Sequence, residues 1–255
     1  MVLMLSCERI TTWDIQPGET LLVADCIITN ELKNQEVRLY QSANGLNQTP
    51  SGVSGATISL IVSDTAITFA EGTAEKGVYF STVPFRAAAG NNYSLIISYK
   101  GFADTAHAEM VGITAFEDSD IIAYDSLYRF VYHSGSQASM TEVFYDWSGS
   151  QEYCNAYGSC QASETFYTLD NIDIGKLFAP DRQVIPFPDH TGIIRRKYSL
   201  SDEHQRFIRS LLLETEWRGG YFDVEQGNVP TNFSHGIRGW FAVCMVLSDT
   251  TNFEQ

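Results

Sequence analysis

The chain has 255 residues and a formal net charge of −15, and 44% of its residues are hydrophobic while 18% are charged. This length suits one large domain or two small ones, and the composition excludes a disordered chain. The excess of acid argues against nucleic acid as a partner, because phosphate binding draws on clustered Lys and Arg. No stretch approaches the ~20 consecutive apolar residues of a membrane span, so a membrane attachment would have to come from a lipid.

The chain opens with a short apolar run that ends in a cysteine. Residues 1–6 are MVLMLS, and Cys7 follows at once. In lipoprotein signals, an apolar run and a small residue precede a cysteine that is acylated and becomes the new N-terminus. We therefore interpret residues 1–18 as the end of a signal and a tether, with lipidation at Cys7 and a precursor that starts further upstream. The alternative is a cytosolic protein whose first strand contains a cysteine.

The segment 19–114 is a succession of short apolar runs separated by turn residues. Its regular spacing, with no helical period between the runs, predicts an antiparallel sandwich of immunoglobulin or transthyretin type. A loop rich in Gly, Ser, Pro and Asn is expected at 44–55. The predicted strands are 21–29, 36–41, 56–62, 66–70, 77–84, 93–99 and 105–111.

From 115 to 255 the composition changes, and a second domain is predicted that is also rich in β-structure. Its acidic segment 117–120 is interpreted as a solvated loop, with a calcium site as the alternative, although the spacing does not match a calcium-binding loop. The segment 148–182 carries no clear period. The strands predicted in this domain are 128–133, 142–146, 183–187 and 240–247.

One amphipathic helix is predicted near 201–218. Ser201 can cap its first turn, and Gly219 with Gly220 can end it. We expect its apolar side to pack on the C-terminal sheet. That side is formed by Phe207, Ile208, Leu211 and Leu212.

Four cysteines follow Cys7. Cys154 and Cys160 enclose a polar loop, so a disulfide between them is plausible in an oxidising compartment. Cys26 and Cys244 stand in apolar stretches and are interpreted as small core residues. Since no second Cys or His pair stands at ligand spacing, we expect neither a metal site nor a cofactor.

The motifs of the common enzyme classes are missing from the chain. There is no Gly-x-Ser-x-Gly elbow, no His-Glu-x-x-His zinc helix and no glycine-rich loop of the kinds that bind phosphate or dinucleotides. No catalytic residue is therefore assigned. An enzyme is disfavoured but not excluded, because a glycosidase needs only two carboxylates that the fold brings together.

Aromatic residues give the stronger functional hint. Tyr145, Trp147, Tyr153 and Tyr157 surround a loop rich in Gly and Ser. Flat rings in such a place can stack on a sugar or pack against a partner protein. The alternative is that these rings fill the C-terminal core.

Four segments carry a resemblance to a known family: LVADCIITN at 22–30, VSGATI at 53–58, YSLS at 198–201 and NVPTNFSHGIRGWF at 228–241. They are similar to a family of Bacteroidota envelope lipoproteins, domain of unknown function 4249, that is often encoded beside TonB-dependent outer-membrane transporters. Cys26, Phe233 and His235 depart from the family's pattern. The resemblance implies an outer-membrane lipoprotein, facing the cell exterior, with a TonB-dependent transporter as partner. It implies no catalytic residues.

Four Asp-Ser/Thr sites agree with export to this envelope. They resemble the sites that Bacteroidota O-glycosylate on exported proteins, and the acceptors would be Thr65, Thr105, Ser126 and Thr250.

Three functional hypotheses follow from these patterns. The first is a non-enzymatic accessory or ligand-binding lipoprotein that works with a TonB-dependent nutrient transporter. The second is a surface hydrolase of glycan or peptide, which would require two carboxylates in one cleft. The third is an adhesin or structural surface subunit, which would self-associate.

Overall fold

The computed structural model describes residues 19–43, 45, 48–170, 183–217, 227 and 229–254. Within these residues the chain is mainly β, with fifteen strands and two helices, which confirms the β-rich class. In chain order the elements are β1 (Leu22–Thr29), β2 (Glu36–Gln41), β3 (Ser51–Gly52), β4 (Thr57–Val62), β5 (Thr65–Glu71), β6 (Val78–Ser81), β7 (Asn92–Tyr99), β8 (Phe102–Val111), β9 (Asp120–Tyr124), β10 (Leu127–Val131), β11 (Ser139–Asp146), α1 (Gln151–Tyr157), β12 (Gln161–Thr168), β13 (Thr191–Ser199), α2 (Asp202–Glu214), β14 (Arg238–Cys244) and β15 (Val246–Phe253).

Eight strands close into a barrel. Their order is β1-β14-β8-β7-β4-β5-β6-β2, and β2 pairs in turn with β1, while β3 extends from β2. This closed arrangement replaces the immunoglobulin- or transthyretin-like sandwich that the strand spacing predicted. The difference arises because β14, from the C-terminal end of the chain, pairs in parallel with both β1 and β8 and fills the gap between them.

Alternating side chains explain why these segments form the barrel. In β7, the side chains of Tyr93, Leu95 and Ile97 are buried while their neighbours are not. In β4, Ile58 and Leu60 follow the same period of two and belong to the same core. Each fully buried aliphatic side chain of this kind contributes about 2 kcal/mol through removal from water.

A second, antiparallel sheet has the order β12-β11-β13-β15 and lies between two smaller cores. One face packs on α2 through Met140 and Tyr198. The other face carries Val143 and Ile193 and packs on the hairpin formed by β9 and β10. Only Met245 separates β14 from β15, so one nearly continuous run of chain joins the barrel to this sheet.

The amphipathic helix is confirmed as α2, and the hydroxyl of Ser201 accepts a hydrogen bond from the backbone N–H of His204 at 3.3 Å. Gly219 and Gly220 lie outside the described residues. Residues 148–182, where no element was predicted, contain α1 and β12. The domain division at 114/115 stays a prediction, and the structure places β14, a strand of the later segment, in the barrel.

Consecutive basic residues in β13 link distant segments of the chain. Arg195 pairs with Asp249, and Arg196 pairs with Glu31. Lys197 is fully buried, and its ammonium donates to both carboxylate oxygens of Glu117, at 2.8 and 2.9 Å, and to the carbonyl of Ala115 at 2.8 Å. The acidic segment 117–120 is therefore not simply a solvated loop, because its first carboxylate neutralises a buried charge.

Gly239 is required where β14 approaches β1. Its φ is +92°, and a Cβ atom there would lie 2.0 Å from the carbonyl oxygen of Ala24. We expect Gly239→Ala to lower the free energy of unfolding by about 3 kcal/mol, because backbone strain adds to overpacking against an atom that cannot move aside. Chemical denaturation measures this loss.

Gly90→Ala is the matched control. Gly90 has a similar φ of +83°, but a Cβ atom there would meet no atom within 4 Å. Its substitution should lower the free energy of unfolding by about 1 kcal/mol, because only the backbone strain remains. Equal losses for the two variants would contradict the close approach of β14 to β1.

Candidate ligand-binding site between helix α2 and the barrel

The predicted aromatic site is only partly accessible. Tyr145 and Trp147 are each 1% exposed and belong to the core beneath the β9–β10 hairpin, so the prediction of ligand contacts is wrong for both. The hydroxyl of Tyr145 donates to Glu164, and burial raises the pKa of Tyr145 well above its usual range. The indole N–H of Trp147 donates to the carbonyl of Ser159 at 2.8 Å. These rings fill the core because the period of β11 directs them inward.

The other two tyrosines lie on α1. The hydroxyl of Tyr153 donates to the carbonyl of Pro186 at 2.6 Å, and the ring of Tyr157 is 42% exposed. Cys154 and Cys160 are joined by a disulfide, with their Cα atoms 4.5 Å apart, next to these rings. Of the four predicted contact residues, Tyr157 presents the most accessible ring.

The other predicted sites lie apart from one another. Thr65, Ser126 and Thr250 are exposed, and Thr105 is half-buried in β8. O-glycosylation at these positions stays a prediction. Cys7 lies outside the described residues.

Asp104 and Asn232 hold the segment 229–241 in place. The buried carboxylate of Asp104 accepts hydrogen bonds from three backbone N–H groups of this segment, those of Ser234, His235 and Ile237, at 2.8 to 2.9 Å. The side chain of Asn232 bonds both the N–H and the carbonyl of Phe241, at 3.0 and 2.8 Å. These bonds define where β14 begins.

Trp240 projects from the outer face of β14 towards α2. Its neighbour Phe241 points into the barrel, because successive side chains of a strand alternate. Trp240 stacks on Phe207 of α2, with ring centroids 4.8 Å apart and planes inclined by 19°. It is half-buried, so part of the indole remains accessible.

A cavity of about 360 Å³ opens beside Trp240, between the first turn of α2 and the strands β8 and β14. This volume lies within the ~300–1,000 Å³ that is usual for small-molecule sites. Polar groups of both kinds, donors and acceptors, surround it. They include His107, Glu109, Asp202, Glu203 and Arg206.

His204 forms a buried part of the cavity wall. The Nδ1 atom of His204 lies 3.9 Å from the Sγ atom of Cys244. Burial lowers the pKa of His204 to about 4 and raises the pKa of the Cys244 thiol to about 12. Both groups are therefore neutral at pH 7, which makes them a poor nucleophile and base pair but leaves the imidazole as an uncharged hydrogen-bonding group.

Two further cavities meet at Trp240. One, of about 520 Å³, shares Glu203, Arg206 and Asn232 with the first and adds Arg209. The other, of about 380 Å³, lies towards β1 and is lined in part by Leu211. Trp240 contributes to all three, which makes it the centre of a groove between α2 and the barrel.

The sequence contains a weak signal for this site. The sequence pattern predicts Trp240 only as part of a strand, although the alternation of Trp240 with Phe241 indicates that one of the two rings faces outward. The carboxylates could not be identified, because Glu109 and Glu203 come from segments that only the fold brings together.

Across the described residues, no three His, Cys, Asp or Glu side chains are arranged to hold a metal ion. Neither described helix has the length and apolar content that crossing a bilayer requires.

Comparison with known proteins gives one family. Residues 9–250 match the model of a family described as "Domain of unknown function (DUF4249)". No curated protein sequence matches the chain.

The buried imidazole predicts a pH dependence of stability. Between about pH 6.5 and pH 4 the unfolded chain binds a proton at His204 and the folded chain does not, so the free energy of unfolding should fall as the pH falls through this window. The difference between the pKa of His204 in the unfolded and folded chains corresponds to a fall of about 3 kcal/mol in the free energy of unfolding. Urea denaturation of the wild type and of His204→Gln across this range measures the contribution, which the variant should lack.

His190→Gln is the control for this experiment. The side chain of His190 is 73% exposed, so this position lacks the burial that distinguishes His204. This variant should keep the pH dependence of the wild type. An identical pH dependence for His204→Gln and the wild type would contradict the burial of a neutral imidazole.

Proposed function

The chain belongs to the DUF4249 family, and on that premise we propose that it is a non-enzymatic lipoprotein of the outer membrane, a ligand-binding or accessory component that serves a TonB-dependent nutrient transporter. The observation that carries the proposal is the groove at Trp240. It combines an aromatic ring with charged and neutral hydrogen-bonding groups around a cavity of suitable size, which is the usual composition of a small-molecule site.

The proposed membrane attachment rests on Cys7. An apolar run and a small residue precede this cysteine, as in lipoprotein signals. The resemblance to Bacteroidota envelope lipoproteins supports the same cellular location. The disulfide between Cys154 and Cys160 suits an oxidising compartment outside the cytoplasm.

An exposed apolar pair on the second sheet supports contact with a protein partner. Phe144 of β11 and Ile194 of β13 are register partners, and both side chains are exposed. Adjacent exposed apolar residues favour an interface, because their burial against a partner removes apolar surface from water. The pair lies on the face that packs on α2 through Met140 and Tyr198, beyond the part that the helix covers, and we propose that the transporter contacts the sheet there.

Purification from native membranes tests the anchor and the partner together. A C-terminally tagged chain should remain in the membrane fraction and should co-purify with a TonB-dependent transporter. Cys7→Ser should release the chain into the soluble fraction, because the acylated side chain is lost. A membrane-bound Cys7→Ser variant, or native complexes that contain no transporter subunit, would overturn the proposal.

Variants of the apolar pair sharpen the same test. Phe144→Ser together with Ile194→Ser should reduce transporter recovery at least about tenfold, which corresponds to about 1.4 kcal/mol of binding free energy. The matched control is Phe102→Ser, which changes an exposed apolar side chain of the barrel strand β8. Equal loss with the control would show that the effect is not specific to the proposed face.

A second candidate, a surface glycan hydrolase, is favoured by one observation. Glu109, Asp202 and Glu203 line the same cavity, and glycoside hydrolysis requires a pair of carboxylates on either side of the scissile bond. Incubation with neutral glycans, followed by measurement of released reducing ends, tests it. Turnover that Glu109→Gln or Glu203→Gln reduces about a hundredfold or more would favour the hydrolase over the binding protein. Absence of turnover would eliminate it.

A further inference from the structure

We infer that the cavity between the first turn of α2 and the strands β8 and β14 binds a neutral ligand rich in hydroxyl groups, a short saccharide. The inference deepens the proposed function, on which it rests for a ligand-binding role, by naming the class of ligand. Ring stacking, local charge and a buried polar group support it independently.

Trp240 supplies the apolar surface that such a ligand needs. Phe207 stacks on the indole, with ring centroids 4.8 Å apart, and restricts its movement. The same indole also lines the cavity. A sugar ring presents C–H groups on one face and hydroxyl groups at its edge, so an immobilised aromatic ring beside polar groups is complementary to it.

The charges around the cavity select against an acidic ligand. Among the described residues that line the cavity, Glu109, Asp202 and Glu203 carry carboxylates and Arg206 carries a guanidinium. A carboxylate or phosphate on the ligand would meet this excess of negative charge at short range, which costs free energy. Hydroxyl groups, in contrast, donate to carboxylates and accept from a guanidinium, so a neutral polyol satisfies both kinds of group.

His204 favours a hydroxyl over an apolar group on the ligand. Its side chain is 5% exposed and lines the cavity, and its Nδ1 lies at 3.9 Å from a weakly hydrogen-bonding thiol. A ligand without a polar atom at this wall would displace water from the imidazole and leave a polar group unsatisfied. That penalty disfavours apolar ligands.

The neighbouring cavity allows more than one sugar ring. It has a volume of about 520 Å³ and shares Glu203, Arg206 and Trp240 with the first. A chain of two or three sugar units could therefore pass the edge of Trp240 and contact both cavities. A disaccharide should bind more tightly than its monosaccharide.

The test is titration of the purified full-length chain, followed by calorimetry and by intrinsic tryptophan fluorescence. The neutral probes are cellobiose, maltotriose and N,N′-diacetylchitobiose, with glucuronate as an acidic ligand and choline as a cationic one. At least one neutral saccharide should bind, and it should bind more tightly than either charged probe. Stronger binding of choline would indicate a cation site at Trp240, stronger binding of glucuronate would indicate an acid site, and either result would overturn the inference. Absence of saccharide binding would overturn it as well.

Variants locate the bound saccharide. Glu203→Gln and Glu109→Gln should each weaken saccharide binding about tenfold, and Trp240→Ala should abolish it. The glutamine variants keep the side-chain shape at two exposed positions, so they test the site even if Trp240→Ala fails to fold. Glu75→Gln, which removes an exposed carboxylate that does not line the cavity, is the matched control and should bind as the wild type does. Binding unchanged in both cavity variants would place the saccharide elsewhere and overturn the inference.

The result of the saccharide titration is independent of the result of the test of the proposed function. Saccharide titration needs neither a lipid anchor nor a transporter. Saccharide binding without transporter recovery would support the ligand class and overturn the proposed partner. Transporter recovery without saccharide binding would support the proposed partner and overturn the proposed class of ligand.

Discussion

The position of β14 is the constraint on which the rest of the structure depends. A sheet of seven barrel strands without it would leave β1 and β8 as edges with unpaired backbone groups, which are prone to pair with other chains. By pairing in parallel with both strands, β14 closes the barrel. The pairing requires Gly239, because any larger residue would collide with the carbonyl oxygen of Ala24. The close approach of two backbones thus determines the architecture.

The two faces of β14 connect the barrel core to the second sheet. Phe241 and Val243 lie in the barrel core, whereas Ala242 and Cys244 pack beneath α2. Immediately beyond β14, the side chain of Asn30 bonds both the N–H and the carbonyl of Val246, at 2.8 and 3.3 Å. The hydroxyl of Ser199 accepts from the N–H of Met245 at 2.9 Å. Asn30 and Ser199 belong to segments that carry the family resemblance, so these segments meet where the barrel passes into the sheet.

The same geometry produces the candidate site. Trp240 can face α2 only because Phe241 faces the barrel core, and the segment that leads into β14 is held by the carboxylate of Asp104 and the amide of Asn232. The cavity then forms where Glu109 of β8 and Glu203 of α2 come to the same side of Trp240. A change that displaced β14 would therefore alter the fold and the site together. Part of the composition of the segment 229–241 therefore serves to position one ring.

The sequence by itself determined the features that depend on local periodicity. A period of two predicts strands such as β2 and β7, and the capped apolar stripe predicts α2, because local burial repeats along the chain with the period of the element. The spacing of Cys154 and Cys160 indicated their pairing, and four segments indicated the family. These inferences require only neighbours in the chain.

Only the tertiary structure decided how these elements combine. Closure of the barrel depends on β14 pairing with strands far from it in sequence, and a strand's own pattern does not identify such partners. The sequence indicated an accessible aromatic site at Tyr145 and Trp147, whereas in the fold the hairpin β9–β10 covers both rings. The buried charge of Lys197 likewise finds its counterion, Glu117, in a distant segment of the chain. The groove at Trp240 has the same origin, because its ring, its carboxylates and its buried imidazole come from three separate segments. Burial and proximity between distant segments are properties of the folded chain, and for that reason local sequence patterns could predict the elements but not the site.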